Sequence, residues 1–241
     1  MASKLALVAF AGFTVAIVCM GAAAAIGTKG MENDDFDFSL FGGPSCGRLD
    51  GGTATARDIA WDGSDEVVLS VPGQVHYTPG GGETLHVSGD PGLVAHIRVR
   101  DGHVEMDCHR WHGGRRELNI TLPGREFRKF GVAGSGKLLL DGLNQDRLKV
   151  SIAGSGTIRG NGRVENLDVH IAGSGDADMG EVASEVARVH IAGSGDADIA
   201  PREEADIHIS GSGDVTLHSN PAHMETHIAG SGSIRNVGGG I

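Results

Sequence analysis

Beyond residue 26 this chain has almost no apolar run with a 3.6-residue period. It also carries 40 glycines, so a helical architecture fails. One short stretch, 181–189, is a helical candidate that reads better as an insertion at a corner. Basic charge is scarce as well: 20 Lys and Arg stand against 31 Asp and Glu, a formal charge of −11. That balance argues against nucleic acid or anionic lipid as the main partner. Cysteine is limited to three residues, and only Cys46 and Cys108 lie outside the apolar N-terminus. These two are a candidate disulfide if the domain faces an oxidising compartment. The chain has no Gly-x-Ser-x-Gly elbow, and no paired carboxylates or nucleophile–base set stands out from its background. Those absences point away from an enzyme, and no cofactor is implied.

What the chain does have is Gly-Ser-Gly, six times. The copies start at Gly134, Gly154, Gly173, Gly193, Gly211 and Gly230, in steps of 20, 19, 20, 18 and 19 residues. Around each copy apolar and polar residues alternate. Leu167, Val169 and Ile171 fall on one face of a strand, and Asp168, His170 and Ala172 fall on the other. A period near 19 with strand alternation predicts a solenoid whose rungs stack on one another. The fold class is therefore all-β: a single-stranded, right-handed β-helix of about six rungs of 18–20 residues. Each rung is expected to hold two or three short strands with glycine corners. The interior column is Val132, Ile152, Ile171, Ile191, Ile209 and Ile228. The repeat serines should bond corner backbone through their side chains.

Upstream, 66–71, 84–87, 94–99 and 117–122 read as strands separated by Pro and Gly turns. Residues 46–130 are then irregular opening turns or a β-sandwich-like cap, 131–238 the repeats, and 46–238 one domain. A cap is required because an open β-helix end exposes apolar side chains and unpaired edges. Residues 5–26 are uncharged and long enough to span a bilayer, so 1–28 is expected to be a membrane anchor or signal segment. An acidic, flexible tether at 29–45 would follow, with Phe36, Phe38 and Phe41 interspersed. Lys4 favours a cytoplasmic N-terminus and an outward-facing domain. The membrane is thus one expected partner.

Three constellations invite chemistry. Residues 131–137 nearly spell a phosphate-binding loop. However, Leu138 stands where Ser or Thr belongs, and the same corner recurs without the Lys. His170, His190, His208 and His227 should stack on one outer face and are candidate metal ligands. A solvated polar face that becomes cationic below about pH 6.5 is the plainer reading. Asp176, Asp196 and Asp214 form an acidic column in which Ca²⁺ competes with simple exposure.

The strings Ala172-Gly173-Ser174-Gly175-Asp176 and Ser210-Gly211-Ser212-Gly213-Asp214-Val215, with the upstream Leu118-Asn119-Ile120-Thr121-Leu122-Pro123, carry a likeness. From about Arg48 to Val237 the chain resembles the bacterial auto-transporter adhesin, head GIN domain, family. The resemblance implies a secreted or envelope β-solenoid and brings no catalytic residues. The leading expectation is a non-enzymatic, membrane-anchored module of the bacterial cell envelope, used for binding, adhesion or scaffolding. It would sit in the periplasm on an inner-membrane anchor, or be secreted if the N-terminal segment is cleaved. Its ligand would be an envelope polysaccharide or protein. The alternatives are a polysaccharide-acting β-helix enzyme, with Asp168, Arg188 and Asp206 in adjacent rungs, and a metal-binding protein using the histidine face.

Overall fold

The structure is a computed structural model. It describes residues 55–107 and 118–238, together with the backbone of 45–46 and 110–111. The expected anchor at 1–28, nearly all of the expected tether at 29–45, and the side chains of Cys46 and Cys108 lie outside the described residues. Among the described residues no helix is long and apolar enough to cross a membrane.

The elements are almost all strands. In chain order they begin with β1 (Ser45–Cys46), β2 (Ala56–Ala60), β3 (Glu66–Ser70), β4 (Gln74–Tyr77) and β5 (Thr84–Gly89). A one-turn helix α1 (Pro91–Val94) precedes β6 (Ile97–Arg100), β7 (His103–Met106), β8 (Arg110–Trp111) and β9 (Leu118–Thr121). The repeats supply β10 (Lys129–Gly134), β11 (Lys137–Gly154), β12 (Thr157–Gly173), β13 (Asp176–Gly193) and β14 (Asp196–Gly211). The last turn is β15 (Asp214–Leu217), β16 (His223–Gly230) and β17 (Ser233–Asn236).

From β10 onward every pairing is parallel and joins a strand to the next turn: β10–β11–β12–β13–β14, then β15 and β16 on β14, and β17 on β15. This is the expected solenoid. A turn is not two or three short strands, however. It is one extended run of 16–18 residues in β11 to β14, broken only at Ser-Gly. The other corners are register shifts, at Leu140/Leu143, Arg159/Asn161 and Asp178/Ala183. Bulges bend a strand without ending it, which is why sequence punctuation did not reveal these corners. The helical candidate at 181–189 is strand, and its extra residues are taken up by the shifts facing β14.

The interior column forms as read except at its last member, since Ile228 is in register with Ile209 but 42% exposed. Val132, Ile152, Ile171, Ile191 and Ile209 are register partners, each 1–2% exposed. Glycine is required at the corners for two reasons that meet at Gly193. Its φ of +137° disfavours side chains, and a Cβ there would fall on the carbonyl oxygen of Gly173 one turn below. The repeat serines act differently from expectation. Their backbone N–H groups bond the turn below, as in Ser174 N to Gly154 O at 2.8 Å, while their side chains are exposed.

The opening part combines both expected forms. β3 and β4 continue the parallel ladder onto β10 and β11. β2–β5–β9 and β6–β7 pair antiparallel and close that end. Val94-Ala95-His96 is not strand as read: Asp90 caps Gly92 N–H at 2.9 Å, Pro91 sits at the helix start, and α1 buries Leu93 and Val94.

Candidate functional site

The repeat turns project three outward columns beside one another. The outermost is charged, with Lys149, Asp168, Arg188, Asp206 and Glu225 in register. Two residues on come Ser151, His170, His190, His208 and His227, and two further on Ala153, Ala172, Ala192, Ser210 and Ala229. The period of 2 puts all three on the same face, and the repeat keeps each in line along the axis. Two depressions result. One, of about 410 Å³, lies along His170, His190 and His208 over Ala153, Ala172 and Ala192. The other, of about 840 Å³, lies across the charged column, where Arg128, Arg147, Lys149 and Arg188 meet Glu126 and Asp168.

The four predicted histidines are brought together as one ladder. His170 and His190 stack at 4.9 Å between ring centroids with 6° between planes, and His190 and His208 at 5.1 Å with 3°. His227 tilts away, at 5.9 Å and 38°. Imidazole lone pairs lie in the ring plane, so stacked rings aim them side by side rather than at a common point. Among the described residues no group of three or more His, Cys, Asp or Glu gathers as a metal would need. The ladder is instead tied to the charged column, with His208 Nε2 3.0 Å from Asp206 Oδ1 and His170 Nε2 3.9 Å from Asp168 Oδ1. Burial holds the His170 pKa below its ordinary value, helped by Lys149 and His190 and opposed by Asp168.

Two members of the acidic column, Asp196 and Asp214, are committed elsewhere. Asp196 accepts from the backbone N–H of Asp214 at 2.8 Å, and Asp214 accepts from Ser233 N–H, Ser233 hydroxyl and Arg235. Those bonds, the Ser233 hydroxyl first, hold the Asp214 carboxyl below the usual carboxylate range. Beside it Asp178 meets Arg159 at 2.7 Å and Asp198 meets His218 at 2.8 Å. These carboxylates brace successive turns. The near-phosphate loop at 131–137 is a corner between β10 and β11, with no helix behind it. Of the candidate disulfide, the structure shows only that β1 pairs with β8, Cys46 opposite Trp111.

Two contributors to this face were not picked out from sequence. The alanine floor is visible in sequence as a small residue after each repeat isoleucine, with Ala172 on the outer face, but no role attaches to it there. Arg147 shares its column with Asn166, Val186 and Glu204, so no residue type repeats there to mark it, and Arg128 and Arg147 both reach the charged depression only through the fold.

Comparison with known structures matches this architecture. A crystal structure of a "putative adhesin" from Bacteroides fragilis superposes with a TM-score of 0.61 at 19% identity, covering 78% of this chain and 99% of the other. A second "putative adhesin", from Parabacteroides distasonis, gives 0.51 at 17% identity, covering 76% and 96%. At such identities the likeness shows the fold alone. No protein of curated function matches the sequence at a significant level. The family model described as "Putative auto-transporter adhesin, head GIN domain" matches residues 64–221. That span runs from β3 through β15, most of the β-solenoid and of the strands that close its first end, and the chain belongs to this family.

Proposed function

We propose that the protein is a non-enzymatic binding module of the bacterial cell envelope that holds an extended polysaccharide against the histidine–alanine face. The observation that carries this reading is the pairing of the two depressions. An apolar alanine floor with an imidazole wall runs beside a strip of fixed charges, all repeating along the axis. A glycan chain has apolar ring faces and hydroxyl-rich edges, and such a face offers a partner to each. The adhesin description of the family supports a binding role, and an envelope location agrees with the N-terminal segment read above as an anchor. Titrating the full chain in mild detergent with soluble cell-wall polysaccharides, by calorimetry, tests this directly. Ala172 is exposed, so Ala172→Trp fills the groove without touching the core. The expected result is saturable binding that weakens at least tenfold in that variant, at unchanged thermal midpoint. No binding, or binding that ignores Ala172→Trp, overturns the reading.

The charged depression, lined by Asp168 and Arg188, also favours a second reading as a polysaccharide-acting enzyme. Asp206 is the third member of that set and lies next to Arg188 in the ladder. Release of new reducing ends in the same incubations, lost in Asp168→Asn, would establish catalysis in place of simple binding.

A further inference from the structure

We propose that the last turn of the solenoid is a self-recognition surface, on which a second copy of this chain docks through β16, antiparallel, with Thr226 on the twofold axis. Among the described residues the exposed large hydrophobics are Met224 at 56%, Ile228 at 42% and Val237 at 60%, all in or just after the last turn. Met224 and Ile228 continue columns whose members one turn below, Ala205 and Ile209, are 0–1% exposed. They are core residues with no next turn described over them. β16 pairs with β14 on one side only and carries no Lys, Pro or register shift, the usual devices that blunt an edge.

The free edge has a definite chemistry. Ser231 N–H bonds back to Gly211, and Lys149, which occupies the Glu225 column, bonds back to Arg128. Strand alternation then turns Glu225, His227 and Ala229 toward β14 and leaves the N–H and C=O of Met224, Thr226 and Ile228 facing outward. Antiparallel pairing centred on Thr226 sets Met224 against Ile228, Thr226 against itself and Ile228 against Met224. Each becomes a pair that exchanges both backbone bonds. The same register puts apolar against apolar on the inner side. On the outer side it sets Glu225 directly against His227, twice, a carboxylate–imidazole pairing that a one-residue slip would lose. A slip by one would also turn the apolar set outward. Head-to-tail stacking finds no equivalent, because the other end is closed by antiparallel strands. The isologous arrangement is the one that closes, and it would bring the histidine column of each copy up against the charged column of the other.

Sedimentation equilibrium of the full chain in detergent should show a reversible dimer. Ile228→Lys should make it monomeric. Thr226→Pro should do the same while keeping the thermal midpoint of the dilute, monomeric chain, since the N–H it removes serves no bond among the described residues. Glu225→Lys should weaken the dimer about tenfold, and Glu225→Lys with His227→Glu should restore it. Oxidised Thr226→Cys should link two chains through position 226, where opposed Cα atoms lie about 5.5 Å apart. His223→Cys should not, because position 229 would face it. A chain monomeric at all concentrations, or a dimer indifferent to Ile228→Lys and to the charge swap, would overturn the proposal. So would a monomer whose last turn cross-links to its own residues 1–44.

Discussion

The two ends of this solenoid solve the same problem in opposite ways. At the first end the parallel ladder runs into antiparallel strands, and the core is finished by rings. Phe127 packs edge-on to Trp61, Tyr77 and Phe130 at 5.3–5.6 Å, and the Tyr77 hydroxyl donates to the Arg125 carbonyl at 2.9 Å. At the last described turn no strand among the described residues lies over β16, and residues identical in role to buried ones are exposed. The aromatics of the described domain are thus concentrated where the repeat cannot bury its own edge. In a stacked fold each turn is stabilised by its neighbours, so a terminal turn needs either a cap or a partner.

Substitutions can sharpen this contrast. Phe127→Ala should be the most damaging, costing about 3–5 kcal/mol by removing the ring on which the closed end packs, read as the shift in urea midpoint. Ile191→Ala should cost about 2–5 kcal/mol. Ile228→Ala, one column but two turns later, should cost under about 1 kcal/mol, because its side chain already meets solvent. Equal costs at Ile191 and Ile228 would mean that the last turn is covered. Gly193→Ala should cost about 3 kcal/mol, through positive φ plus collision with Gly173. Gly134→Ala should cost only about 1 kcal/mol, since it shares the backbone conformation but meets nothing within 4 Å. The smallest effect is electrostatic. His170 has its pKa held below the unfolded value of 6.5. Between the two the unfolded chain binds more protons, so stability present above pH 6.5 is lost as pH falls through the folded value. His170→Asn should flatten that part of the stability–pH curve.

The repeated half of the fold was legible because its constraint recurs. The isoleucine column, the glycine corners and the histidine line each appear at a fixed offset from Gly-Ser-Gly, and stacking turns an offset into a position in space. Corners made by bulges left no such mark, since the residues at Leu140/Leu143 or Arg159/Asn161 differ from turn to turn. The serine expectation failed because a close approach between glycine turns lets the backbone N–H bond directly, leaving the hydroxyl nothing to do. The acidic column was seen, but its partners Ser233, Arg159 and His218 were not, because they sit one turn away rather than nearby in the chain. The charged depression was legible in part, through Asp168 and Arg188 in adjacent rungs, whereas Arg128 and Arg147 join it across turns.

The open end is tested most directly by amide hydrogen exchange on the last turn, read residue by residue across a range of protein concentrations. At low concentration Glu225, His227 and Ala229 should be protected and Met224, Thr226 and Ile228 should exchange fast, an alternation along one strand. Protection of the second set should rise with concentration as copies pair. Protection of both sets at every concentration would contradict the account, because it would mean that the chain already seals its own last turn.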